Sequence, residues 1–88
     1  MKVNDHMILR EIAGEHILLP VGERINTFHG IMSLNGSGLL LWQKLQQDCT
    51  EAELIAAVLD TYDVDPETAA KDVGEFLLQL KQAEVLIP

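Results

Sequence analysis

Gly30-Ile31-Met32-Ser33-Leu34-Asn35-Gly36-Ser37-Gly38-Leu39-Leu40-Leu41-Trp42 is the stretch on which the fold turns. Up to Leu34 the pattern has a period of two. Ile31 and Ser33 point one way and Met32 and Leu34 the other, as in a strand. From Leu39 onward the apolar residues fall at helical spacing. Between them stands Asn35-Gly36-Ser37, whose short polar side chains cap the free N–H groups of a helix start. Strands therefore lie before this point and helices after it.

Working back, Met7 to Ala13 reads as a strand, with Met7, Leu9 and Glu11 on one face and Ile8, Arg10 and Ile12 on the other. Gly14-Glu15 reads as a tight turn, because glycine tolerates positive φ. His16 to Leu19 resumes as a second strand, and Pro20 ends it because proline cannot donate to a ladder. The two make a hairpin. Val21 to His29 is irregular and reads as a loop. Gly30 to Leu34 is the third strand.

Working forward, the first helix runs to Gln46 or Gln47 with Leu41, Trp42 and Leu45 on one stripe. The run Leu39-Leu40-Leu41 is wider than one stripe needs. Thr50-Glu51-Ala52-Glu53 has capping-box spacing and opens a second helix with Leu54, Ile55, Val58, Leu59 and Tyr62 in phase. Asp65-Pro66 opens a third, with Asp at the cap and Pro in the first turn. Its stripe is Ala69, Val73, Phe76, Leu77 and Leu80. Val85-Leu86-Ile87 is a short apolar tail expected to pack back on the core. The order β-β-β-α-α-α predicts one α+β domain over residues 1–88, a three-stranded antiparallel sheet followed by three helices. That is the content of a winged helix-turn-helix.

Composition narrows the function. The chain has 88 residues, 48% of them apolar, and a formal net charge of −8 from fourteen acidic and six basic residues. A duplex reader needs clustered Lys and Arg to displace counterions, and an anionic membrane surface needs the same. Neither nucleic acid nor membrane is an expected partner. The apolar run Leu39 to Trp42 is far short of the ~20 residues of a membrane span. No signal-peptide h-region is seen, so a cytoplasmic location is expected. The single cysteine, Cys49, excludes an internal disulfide and reads as a packing residue.

No reaction chemistry emerges. His6, His16 and His29 match no ligand spacing and read as surface histidines. The acidic pairs Glu51/Glu53 and Asp63/Asp65 sit at caps and turns. Gly36-Ser37-Gly38 lacks the Lys and loop length of a phosphate-binding loop. No cofactor, metal or catalytic residue is expected. One surface feature is harder to dismiss. Leu78 lies off the buried stripe of the third helix, about 100° from Leu77, on a semi-polar face with Lys71, Gly74, Glu75 and Gln82. Beside it, Ile31 to Leu34 forms an edge strand whose unpaired N–H and C=O groups can accept an extended peptide as a further strand.

Over nearly its whole length the chain resembles the PqqD-like family, named for pyrroloquinoline-quinone synthesis protein D and overlapping the recognition elements of ribosomal peptide modification systems. The matching features run in order. They are Ile12-Ala13-Gly14-Glu15-His16-Ile17-Leu18-Leu19-Pro20, Leu34-Asn35-Gly36-Ser37-Gly38, and Leu41-Trp42 with Leu45. Thr50-Glu51-Ala52-Glu53-Leu54-Ile55, Tyr62-Asp63-Val64-Asp65, and Asp72-Val73 with Phe76-Leu77 and Leu80 follow. The resemblance implies a winged-helix-like fold that binds the leader segment of a precursor peptide beside strand three and against the third helix. It implies presentation of that peptide to a modifying enzyme, such as a radical S-adenosylmethionine protein, or to a leader protease, with no catalysis by the module itself. Carried to this chain, the peptide-binding residues are Gly30, Ile31, Met32, Ser33 and Leu34 with Lys71, Glu75, Leu78 and Gln82. The Val21 to His29 connection varies in the family and gives no clue to the pathway. The acidity favours a basic or neutral leader with one or two apolar anchors. An edge strand can also pair with a second copy, giving a homodimer. The alternatives from other classes are a winged-helix DNA-binding regulator and a structural docking subunit of a larger enzyme.

Overall fold

The computed structural model of the chain describes residues 1–5, 7–21 and 32–87. Three strands form an antiparallel sheet in the order β2-β3-β4, where β2 is Met7–Ile12, β3 is Glu15–Pro20 and β4 is Met32–Leu34. Three helices follow, α1 over Gly36–Lys44, α2 over Glu51–Thr61 and α3 over Pro66–Gln82. This is the expected small α+β domain of winged-helix content. Two further strands, β1 at Lys2–Val3 and β5 at Leu86–Ile87, pair with each other in a separate small sheet that the periodicity did not reveal.

The hairpin differs from expectation by one residue. Ile12 pairs with Glu15, so the two turn residues are Ala13 and Gly14, with φ of 53° and 82°. Two consecutive positive φ values define a type I′ turn, whose twist matches that of the flanking strands. Glycine takes the second position without strain and alanine is forced into the first. Pro20 closes β3 instead of lying beyond it, paired opposite Met7 at the end of the ladder.

Each helix begins as its local sequence dictates. The Asn35 side chain accepts the Gly38 amide, Thr50 and Glu53 form a reciprocal capping box, and the Asp65 side chain accepts the Thr68 amide with Pro66 in the first turn. Helix α1 stops at Lys44, slightly before the expected end. Helix α3 ends in a Schellman motif. The Glu84 amide donates to the Lys81 carbonyl and the Val85 amide to that of Leu80, while Glu84 takes φ 59°. That reversal turns the tail back and buries Val85.

The helices pack one sheet face and one another around a continuous core. Leu18, Leu45, Leu54, Val73 and Leu80 are wholly buried there, joined by Leu34, Leu41, Trp42, Val58, Phe76 and Leu77. Burying each such side chain contributes roughly 1.5–3 kcal/mol. The expected stripes of α1 and α3 therefore face inward. On α2 only Leu54 and Val58 are buried, while Leu59 and Tyr62 stay exposed. Leu39 and Leu40 are half-buried, which accounts for the wide apolar run. The first residues are tied in by backbone bonds from the Val3 amide to the Leu45 carbonyl and from the Asn4 amide to the Val85 carbonyl.

Candidate functional site

The main sheet has two borders, β2 and β4, and β4 is the one that leads into the helices. Its residues Met32, Ser33 and Leu34 pair with Leu18, Ile17 and His16 of β3. Among the described residues, no segment pairs with its other side. The apolar tail, which would have sealed this border had it docked there, is held instead by β1. Every second backbone group of β4 therefore points away from β3, where no described strand takes it up. Leu34 and, less deeply, Met32 turn inward to the core, and Ser33 faces out.

Beside this edge lies a cleft of about 680 Å³. One wall is the hairpin end, Gly14, Glu15 and His16, with Ser33 and Leu34 of β4. The second is the start of α1 from Asn35 to Gly38, and the third is α3 through Asp72, Glu75, Phe76 and Gln79. These α3 positions recur at i, i+3, i+4 and i+7, one continuous face of a helix. Leu34, Leu41 and Phe76 supply apolar surface at the base. Gly38 allows the close packing there: a Cβ on it would stand 3.5 Å from Leu34 Cδ2 and from Phe76 Cε1.

Of the residues expected at the site, Ser33, Leu34 and Glu75 line this cleft together. Met32 lies on the same strand. Lys71, Leu78 and Gln82 are exposed on α3 but lie round the helix from the cleft wall and do not line it. Gly30 and Ile31 fall outside the described residues. The sequence reading missed Asp72, Phe76 and Gln79 as a wall, and Glu15 and His16 opposite.

The remaining chemistry-bearing groups lie elsewhere. Cys49 is half-buried after α1. Burial, and secondarily the nearby Glu53 carboxylate, pushes its thiol above the ordinary range, so it is a poor nucleophile at neutral pH. Among the described residues no cluster of three or more His, Cys, Asp or Glu side chains is placed to hold a metal ion, and no helix is long and apolar enough to cross a membrane.

A sheet border left open beside the third helix of a winged-helix-like domain defines a class of small α+β modules. The chain belongs to the PqqD family: the model of that family, coenzyme PQQ synthesis protein D, matches residues 15–86. Two solved structures share the whole fold. One is TbiB1 in complex with the TbiA(beta) leader peptide, 28% identical, with a TM-score of 0.76 over 98% of this chain and 94% of that one. The other is lasso peptide synthetase B1 complexed with the leader peptide, 17% identical, with a TM-score of 0.76 over 99% and 96%. At that lower identity the likeness speaks to the fold alone. No curated protein sequence matches the chain.

Proposed function

We propose that the protein binds the leader segment of a ribosomally made precursor peptide by strand addition and works by binding, without catalysis. The observation that carries this is the open outer side of Met32–Leu34 next to the α3 cleft. An added strand gains main-chain hydrogen bonds from β4, and alternate side chains reach the apolar base at Leu34, Leu41 and Phe76. Membership of the PqqD family and the leader peptide held by the similarly folded TbiB1 support the reading. The guest continues along Gly30 and Ile31, and its flanking residues cross the outer face of α3 at Lys71, Leu78 and Gln82.

Held in this way, the peptide is presented in the cytoplasm to a modifying enzyme, such as a radical S-adenosylmethionine protein, or to a leader protease. Two copies pairing through the same edge compete with the guest. A DNA-reading role fits poorly, since the cleft presents Glu15, Asp72 and Glu75 where a duplex reader presents Lys and Arg.

The test is titration of the isotope-labelled protein with the leader peptide encoded beside its gene, followed by calorimetry and backbone amide shifts. Saturable heat with the largest shifts at residues 32–34 and along α3 is expected. Absence of heat, or shifts confined to other faces, would overturn the reading.

A further inference from the structure

The carboxylates among the described residues that line the cleft beside β4 are Glu15, Asp72 and Glu75. Glu15 stands on the strand side, and Asp72 and Glu75 lie three residues apart on the helix side. All three residues are exposed, and among the described residues no Lys or Arg lines the cleft. Lys71 is their neighbour in sequence but lies outside it. Among the described residues, no hydrogen bond or ion pair engages these three carboxylates. The same cleft is lined by the apolar side chains of Leu34, Leu41 and Phe76, which are buried where the carboxylates are exposed. An extended guest entering here meets an apolar floor and an acidic rim at once.

We infer that the guest strand carries a Lys or Arg two residues from an apolar anchor. The inference rests on the peptide-binding reading and specifies the peptide. The spacing follows from strand geometry: side chains on one side of an extended chain recur every second residue, about 7 Å apart. The apolar side chain seats on Phe76 and Leu34. The next side chain on the same side then reaches the rim, where its cation lies between Asp72 and Glu75 of α3 and Glu15 across the cleft. An acidic residue at that place meets three like charges. Charge at such a rim selects among partners more than it adds raw affinity, and it is screened by salt.

The experiment is selection of randomised displayed dodecapeptides on the full chain, repeated on the Asp72→Asn/Glu75→Gln double variant. Both positions are exposed, so the variant retains its fold, checked by its thermal melt. The wild-type pool is expected to be enriched in Lys and Arg, and depleted in Asp and Glu, two positions from an apolar residue. The variant's pool is expected to keep the apolar preference and lose the basic one. A selected peptide should bind the wild type about tenfold more weakly as salt rises across the physiological range, and bind the variant with little salt dependence. If peptides are selected and shift the amides of residues 32–34 without any basic preference, the charge inference fails and strand addition stands. If no peptide is enriched on either protein, both fall.

Discussion

The amide of Gly38 donates to the side-chain oxygen of Asn35 at 2.7 Å, and the Ser37 hydroxyl donates to the same oxygen at 3.0 Å. Asn35 directly follows the last residue of β4, so these bonds join the end of the open edge to the first turn of α1. Asn35→Ala removes the acceptor and is expected to lower stability by about 1 kcal/mol. Asn35→Asp keeps the acceptor and should stay close to the wild type. A Cβ at Gly38 would stand 3.1 Å from Asn35 Oδ1 and press toward Phe76, so Gly38→Ala should weaken the cap and the cleft base together. Urea midpoints of the three variants decide this. An alanine at position 35 as stable as the wild type would show that the junction is held by packing alone.

The hairpin contains a correctable strain. Ala13 sits at φ 53°, a region that costs an L-residue with a Cβ roughly 1–2 kcal/mol unless its side chain can bond locally. Asn-Gly is the favoured pair for a type I′ turn, and Gly14 already occupies the second place. Ala13→Asn is therefore expected to raise stability by about 0.5–1 kcal/mol with no change in fold. The exposed turn makes no core contact to confuse the result. An unchanged or lower denaturation midpoint would mean that the turn relaxes at no cost.

How far the chain could be read in advance follows from the range over which each feature is encoded. The three helices were legible because their signals are local: a capping box four residues long, Asp65 next to Pro66, and apolar stripes over two or more turns. The pairing of β1 with β5 was not, because strands of two residues are too short for any periodicity and the partners stand at opposite ends of the sequence. The turn stands one residue earlier than Gly14-Glu15, because a glycine alone does not say which of the two turn positions it fills. Cross-strand register, which places Ala13 there, is a tertiary property. The site divides in the same way. Ser33, Leu34 and Glu75 follow from an edge strand beside a helix, and the cleft holds all three. The inward stripe of α3 was clear, but which of its two flanks turns toward β4 depends on how the helix rolls against the sheet. The roll sets Asp72 and Gln79 on the cleft side, with Phe76 at the border between core and cleft.

Acid is expected to weaken the start of α3. The Thr68 amide, donating to the Asp65 carboxylate at 2.7 Å, holds that carboxyl below the ordinary range. A pKa depressed in the folded state means the unfolded chain binds more protons in that window, so stability rises with pH there. The contribution is complete above the usual aspartate value of about 3.9 and is lost as pH falls through the lowered folded value. Asp65→Asn keeps a side-chain acceptor but has nothing to titrate at that position. The difference in urea midpoint between wild type and variant should favour the wild type at neutral pH and shrink toward about pH 3. A difference independent of pH would show that the cap acts as a hydrogen bond only, with no linkage to protonation.

Leu78 lies on the outer face of α3, away from the cleft wall. It is 55% exposed and lies about 100° round the helix from Gln79 on the cleft wall. Because Leu78 belongs to no core cluster, Leu78→Ser should leave stability within about 0.5 kcal/mol of the wild type. If the residues flanking the bound strand cross the outer face, the lost apolar contact weakens peptide affinity about fivefold, near 1 kcal/mol. Gln79→Trp places a bulky side chain in the cleft itself and should obstruct the strand, with a loss of about tenfold or more. Calorimetry with one peptide and both variants reads the two faces separately. A large loss at position 79 with none at 78 confines the guest to the cleft. The reverse pattern moves it onto the outer face and removes the carboxylates of Asp72 and Glu15 from its path.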